Sequence, residues 1–209
     1  MPTTPASKRG IRKRGIVKTK AAHVYARHPD DWYVEEPWVA ERLLDVESFS
    51  GAVWDPACGE GRIVRALRAR GHDAVGSDIK QRNGFKSLQL DFMRSDPGTL
   101  IAYAANFPNL FFNPPFRQSQ EFVKQAIQVA ERKTVAILPT EFLHGDERSR
   151  WLELTPLLRV YFLTPRPSMP PGDSKEAKNP SGGRTSFSVF VWLRGFDGEP
   201  TVRWLRKEP

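Results

Sequence analysis

Gly51-Ala52-Val53-Trp54-Asp55-Pro56-Ala57-Cys58-Gly59-Glu60-Gly61-Arg62 is the stretch that decides the fold. A short apolar run closes on Asp55 and a glycine loop follows. From Arg62 to Arg70, the apolar residues Ile63, Val64, Ala66 and Leu67 suit one face of a helix. Strand, glycine loop and helix in that order form a nucleotide-type cradle, because backbone without Cβ atoms lets a ligand come close. What is missing narrows the ligand. The dinucleotide fingerprint requires a glycine where Val64 stands, and a phosphate loop requires a Gly-Lys-Ser/Thr run that this stretch lacks. An Asp at the strand end is a poor neighbour for pyrophosphate. It suits a ligand carrying ammonium and sulfonium charge, and S-adenosylmethionine is such a ligand.

Outward from this cradle the chain alternates strand-like and helix-like segments, which predicts a doubly wound α/β domain. Strands are expected near 51–55, 73–78, 87–91, 109–113, 133–139, 157–163 and 185–193. A helix is expected over 118–131, where Phe122, Ala126, Ile127 and Val129 are spaced for burial. Tyr33 to Leu44 reads as a leading segment and helix with Trp38, Val39 and Leu43 on its apolar face. Pro165 to Gly183 is rich in Pro, Gly, Ser and Lys and reads as a long loop. With 209 residues, 39% of them hydrophobic, the chain is on the scale of one such domain.

A second motif follows the apolar run Leu110-Phe111-Phe112: Asn113, Pro114, Pro115 and Phe116. The lone pair of a planar amine such as adenine N6 is delocalised into its ring, so the amine is a poor nucleophile until hydrogen-bond acceptors draw that pair out. An Asn side-chain oxygen and a neighbouring carbonyl can each accept one N–H. Pro115 restricts Pro114 to an extended conformation that fixes its carbonyl, and Phe116 can cover the face of a base. A strand ending in an ordinary turn has the same residues, since Asn and Pro both punctuate loops.

Asp55-Pro56-Ala57-Cys58-Gly59-Glu60-Gly61 followed by Asn113-Pro114-Pro115-Phe116 resembles the class I S-adenosylmethionine-dependent methyltransferases that modify adenine N6, over most of residues 31–193. Among them the chain looks most like the small enzymes of bacteriophages and prophages. The resemblance implies a Rossmann-like, seven-stranded, mostly parallel sheet with an antiparallel last strand and the cofactor over the strand ends. It also implies methyl transfer to an exocyclic amine held by the tetrad. It assigns cofactor contacts to Asp55, Pro56, Ala57, Gly59, Gly61 and Asn113. Asp78 would take the ribose hydroxyls, Asp91 the cofactor's adenine amine, and Ile79 or Phe92 would lie against the adenine ring. Each Asp can equally start a turn, and Asp96 lies close to Asp91. Tyr33 resembles part of the family's cofactor-tail motif, but Glu35-Glu36 stands where a Thr-Pro pair would align; an acid there could meet the ligand's ammonium. Trp32, Tyr33 and Trp38 can equally be core residues.

Charge is unevenly spread. Of 32 Lys and Arg, eight (Lys8, Arg9, Arg12, Lys13, Arg14, Lys18, Lys20, Arg27) fall in residues 1–29, which contain no acid, so the whole net charge of +8 sits there. Residues 1–29 read as a basic arm tracking phosphates, or as a solvated tail or targeting segment; residues 30–209 read as the methyltransferase domain. Within it, residues 165–184, with Arg166 and Arg184, form a candidate substrate or recognition loop, or a plain surface loop. DNA is the expected partner. RNA amines, a glutamine side chain of a protein, or non-catalytic nucleic-acid binding on a retained fold are the alternatives. Cys58 sits in the cofactor loop after Ala57, which does not suit the thiol nucleophile of cytosine C5 methylation, and reads as a packing residue. The scattered histidines and one cysteine give no metal spacing. A single cysteine and no apolar run of membrane-spanning length make the cytoplasm of a bacterium or phage-infected cell the expected compartment.

Overall fold

A computed structural model describes residues 28–180 and 183–208. One mixed sheet carries five helices on its two faces. Its strands are β1 (Val53–Asp55), β2 (Ala74–Asp78), β3 (Leu88–Gln89), β4 (Asn109–Phe112), β5 (Lys133–Pro139), β6 (Leu157–Thr164), β7 (Phe187–Leu193) and β8 (Thr201–Arg206). The helices are α1 (Pro37–Leu44), α2 (Arg62–Ala69), α3 (Pro97–Ala104), α4 (Ser119–Val129) and α5 (Asp146–Glu153). The order across the sheet is β3-β2-β1-β4-β5-β7-β6-β8. Neighbours from β3 to β5 are parallel, β7 is antiparallel to both β5 and β6, and β8 returns parallel to β6.

The central strands are near-continuous apolar runs because both their faces are covered. In β4, Phe111 packs into the cluster under α1 and α2, while Leu110 and Phe112 point into the opposite cluster with Phe122, Val123 and Ala126 of α4. Two buried polar contacts fit the same scheme. Trp54 Nε1 donates to Ser77 Oγ at 2.9 Å, so the large indole of β1 is buried without an orphan donor. Glu47, just after α1, accepts from Lys133 Nζ at 2.7 Å, from the Tyr161 hydroxyl at 2.8 Å and from Arg159, which ties α1 to β5 and β6.

The expected sheet is corrected in one respect: it has eight strands, the additional one, β8, following the strand expected at 185–193, which is β7 and is antiparallel as expected. The missed strand, β8, lies at the sheet edge and buries only Leu205 among its six residues, so it shows no apolar run in sequence. Asp96 caps α3 by accepting from Thr99 N at 3.0 Å, which leaves Asp91 as the acid beside the cavity described below. His28 is buried, its N–H donates to the Tyr33 hydroxyl at 3.0 Å, and its Nε2 lies 3.2 Å from Asp173 Oδ2.

Candidate active site

Strand order reverses between β1 and β4, and a cavity of about 640 Å³ opens there at the carboxyl ends of the strands. Its wall includes Tyr33, Glu35, Asp55, Pro56, Ala57, Gly59, Asp78, Ile79, Asp91, Phe92, Asn113 and Pro115. Ten of the cofactor positions read from the sequence therefore meet in one space. The exception is Gly61, which is absent from the wall and has a different job. It begins α2 at φ +78°, and a Cβ there would stand 2.4 Å from the Phe85 ring. Gly59, at φ +51°, does line the cavity; a Cβ there would press on Trp32 Nε1 at 2.7 Å.

The electrostatics of the wall are acidic. Asp55 is 1% exposed and Glu35 6% exposed, and neither forms an ion pair among the described residues. Burial pushes the Asp55 carboxyl well above the ordinary range, and the Glu35 and Asp78 carboxylates add to the rise. Burial likewise raises Glu35, against the lowering effect of hydrogen bonds that include one from Asn113. Two desolvated carboxyls facing an opening mark a place for positive charge. Asp78 already accepts from Gly59 N at 2.9 Å and Lys80 N at 3.1 Å, and each oxygen keeps a second lone pair. Cys58 is buried against Gly76, and burial followed by the neighbouring Asp55 and Asp78 raises its thiol far from a reactive thiolate, as suits a packing residue.

Asn113 is held by its nitrogen. Nδ2 donates to the Tyr33 carbonyl at 3.1 Å and to Glu35 Oε2 at 3.1 Å, while Oδ1 is buried with no partner. Pro114 is buried and is not on the cavity wall. Phe116 is not on the wall either. Its ring is stacked on Tyr33, with centroids 5.2 Å apart and planes at 12°, and leans on Phe187 at 5.6 Å. The flat ring of Tyr33 thus occupies the stacking position that the sequence assigns to a base.

The leading segment 28–36 crosses the strand ends as a strap. Asp30 accepts from Lys80 at 2.8 Å and from Arg82 at 3.0 Å beyond β2, and hydrogen bonds from both hold its carboxyl below the usual range. Asp31 accepts from Arg117 N at 2.7 Å beyond β4. Trp32 sits between Gly59 and Gly172 and under the Arg82 guanidinium, 4.6 Å from its ring. The stretch 168–172 backs the strap. Val34 N donates to Pro170 O at 3.0 Å, Gly172 N to Trp32 O at 3.1 Å and Ser168 N to Glu36 Oε1 at 2.8 Å. Arg166 and Arg184 are exposed and off the cavity wall. Lys8, Arg9, Arg12, Lys13, Arg14, Lys18 and Lys20 lie outside the described residues, but the chain they precede enters at His28 and Pro29, and Pro29 lines the cavity. The sequence missed Asp30, Trp32, Arg62 and Arg82 on the wall. The dense run of aromatic and acidic residues from Asp30 to Trp38 signals the first two; nothing local signals Arg62 or Arg82.

A predicted O-methyltransferase from Agrobacterium tumefaciens has a similar structure, with a TM-score of 0.54 over 82% of this chain and 85% of that one at 11% identity. The fold is the Rossmann-like methyltransferase fold. Also similar, at TM-score 0.47 and 13% identity over 75% of this chain and 76% of the other, is a magnesium protoporphyrin IX methyltransferase from Synechocystis PCC 6803 with bound SAM. No protein-family model matches the sequence, and no curated protein does. No helix among the described residues is long and apolar enough to cross a membrane.

Proposed function

We propose that the protein is an S-adenosylmethionine-dependent methyltransferase acting on the N6 amine of adenine in DNA. One observation supports the proposal: a single cavity wall carries two buried carboxyls that form no ion pair among the described residues, Asp55 and Glu35, together with Asn113, whose buried amide oxygen lacks a donor. The first pair suits a cationic ligand, and the orphan oxygen suits an amine. An unsatisfied buried acceptor costs about 1–3 kcal/mol, and such a cost in a cavity wall points to a ligand.

S-adenosylmethionine, when bound, supplies a methyl group made electrophilic by its sulfonium. Residues on the wall fit it. Asp55 and Glu35 meet its positive charges, Asp78 has lone pairs left for ribose hydroxyls, and Gly59 leaves room for close approach. Ile79 offers an exposed apolar side chain to the adenine ring, beside Phe92 and Asp91. Asn113 Oδ1 would accept one N6 hydrogen, which draws the amine's lone pair out of conjugation for attack. No strong base is required before transfer, since the amine sheds its proton afterwards. Rate enhancement then comes from positioning and fixed dipoles.

An adenine stacked in a duplex cannot enter this cavity, so the target is flipped out or single-stranded. The base takes the place of the Tyr33 ring against Phe116. The basic residues ahead of Pro29 reach the backbone phosphates beside the cavity mouth, and exposed Arg166 and Arg184 add to them. Incubation with isotopically labelled S-adenosylmethionine and DNA, RNA or protein, then digestion and mass spectrometry, tests the proposal. N6-methyladenine in DNA is the expected product; label confined to RNA or to protein glutamine moves the substrate, and no label anywhere refutes the activity.

A further inference from the structure

We infer that Glu35 is a positioning residue that fixes which end of the Asn113 carboxamide faces the reacting amine. The inference rests on the amine-methylating function proposed above, though the orientation it describes is a property of the protein alone.

The two ends of an Asn side chain are nearly identical in shape but opposite in chemistry. Turned one way, Asn113 offers an acceptor to the substrate. Turned the other way, it offers two donors, which would compete for the lone pair that must attack. Nothing in Asn113 itself selects between these. The selection comes from the strap. Tyr33 O and Glu35 Oε2 both lie 3.1 Å from the amide nitrogen, and both are acceptors, so only the NH2 end can satisfy them. Each takes one hydrogen, and Oδ1 is left directed away from both, buried and without a partner.

Glu35 is itself held in place. Its carbonyl accepts from Arg62 Nη1 at 2.7 Å, and the preceding Val34 N–H donates to Pro170 O at 3.0 Å. The strap is thus pinned to α2 on one side and to segment 165–184 on the other. A carboxylate suits the role because it can only accept when ionised and presents two equivalent oxygens. The neighbouring Glu36 does something else: it accepts from Trp38 Nε1 at 2.9 Å and Ser168 N at 2.8 Å, which is a structural job. Glu35 also faces the cavity that would hold the cofactor, so its charge and its acceptor must be separated experimentally.

Glu35→Ala removes both; Glu35→Gln removes the charge but keeps an acceptor, which the fixed demand of Tyr33 O for the NH2 end steers toward Asn113. The first readout is independent of activity. In 15N-labelled full-length protein, the Asn113 side-chain NH2 resonance, identified by its loss in Asn113→Ser, should show two distinct protons protected from exchange with water. Glu35→Ala should expose one of them at least about ten-fold more, the scale of one charge-assisted hydrogen bond. Glu35→Gln should keep the protection. The second readout is the single-turnover methylation rate at saturating S-adenosylmethionine, with cofactor affinity measured separately by calorimetry. A drop of about ten-fold or more in Glu35→Ala, most of which Glu35→Gln restores, supports positioning. Unchanged Asn113 exchange in Glu35→Ala overturns it. So does a rate that recovers fully once cofactor is saturating, which would make Glu35 a cofactor contact only. If the parent protein methylates no base amine while Asn113 stays protected, the proposed function fails and the orientation by Glu35 stands.

Discussion

Asn113 sits where one side chain settles both structure and chemistry. Asn113→Ala is expected to lower methyl transfer by about 100-fold or more while leaving cofactor affinity within a few-fold, because the oxygen aimed at the amine is lost and the carboxyl pair is not. Loss of both together, measured by calorimetry beside the assay, would show the tetrad to be structural. Asn113→Asp is nearly isosteric yet should be worse for stability. It takes away both donors and sets a second carboxylate against Glu35 Oε2, now 3.1 Å from the amide nitrogen. A fall in melting temperature, partly recovered at acid pH, is the expected signature. Gly61→Ala should destabilise by about 1–3 kcal/mol in denaturant unfolding, since the residue needs φ +78° and a Cβ would strike Phe85. The sequence reading makes Gly61 a glycine that lets a ligand come close. It cannot show that an aromatic ring 24 residues onward, not a ligand, fills the space.

At the scale of elements, the strands that carry the site were legible and the strap was not. β1, β2 and β4 end in Asp55, Asp78 and, one residue on, Asn113, each after an apolar run with a turn former behind it. Those are local signals. The strap 28–36 has no periodicity, and its place over the strand ends depends on partners far away in sequence: Lys80, Arg82, Arg117 and the 168–172 stretch. Segment 165–184 shows the same dependence on distant partners. Its Pro and Gly content fits a loop, but Pro167, Ser168, Met169 and Pro170 are buried against the strap, so it braces the site from behind. Trp32 is the keystone of this contact, filling the space left by Gly59 and Gly172. Trp32→Ala should weaken S-adenosylmethionine binding by about ten-fold in calorimetry, with far-ultraviolet dichroism unchanged. Unaltered affinity would mean that the strap does not shape the cavity.

For the whole molecule, charge separates into a neutral domain and a basic stretch. Residues 30–209 hold 24 acids and 24 bases, so the domain offers DNA no net attraction, and its cavity is acidic. Removing residues 1–27 should therefore weaken DNA binding and flatten its salt dependence by several units of log slope; an unchanged slope sinks the phosphate-tracking role. The pH response is also divided. Asp55 and Glu35 have native values raised above 3.8 and 4.5, so the unfolded chain loses these protons first, and their cost to stability grows as pH rises through that interval. Glu47 runs oppositely. Burial alone would raise it, but Lys133, Tyr161 and Arg159 bring it below 4.5, so its stabilisation is present above that value and lost as pH falls through the native one. A cationic ligand favours the ionised forms of Asp55 and Glu35. Its binding should release protons across the pH range in which these carboxyls titrate, detected as heats that differ between buffers of different ionisation enthalpy; identical heats throughout would argue against these two groups as its counter-charge.

Strand β7 lies between β5 and β6, although it follows both in the chain. As the polypeptide leaves the ribosome, β6 has no lateral neighbour among the segments made before it, because the gap beside β5 belongs to residues not yet translated. Assembly of that half of the protein must wait until Leu193 emerges and threads the vacancy. Premature termination anywhere in the last twenty codons before it would release a chain with two raw sheet borders, and aggregation rather than a smaller active enzyme is the outcome to look for.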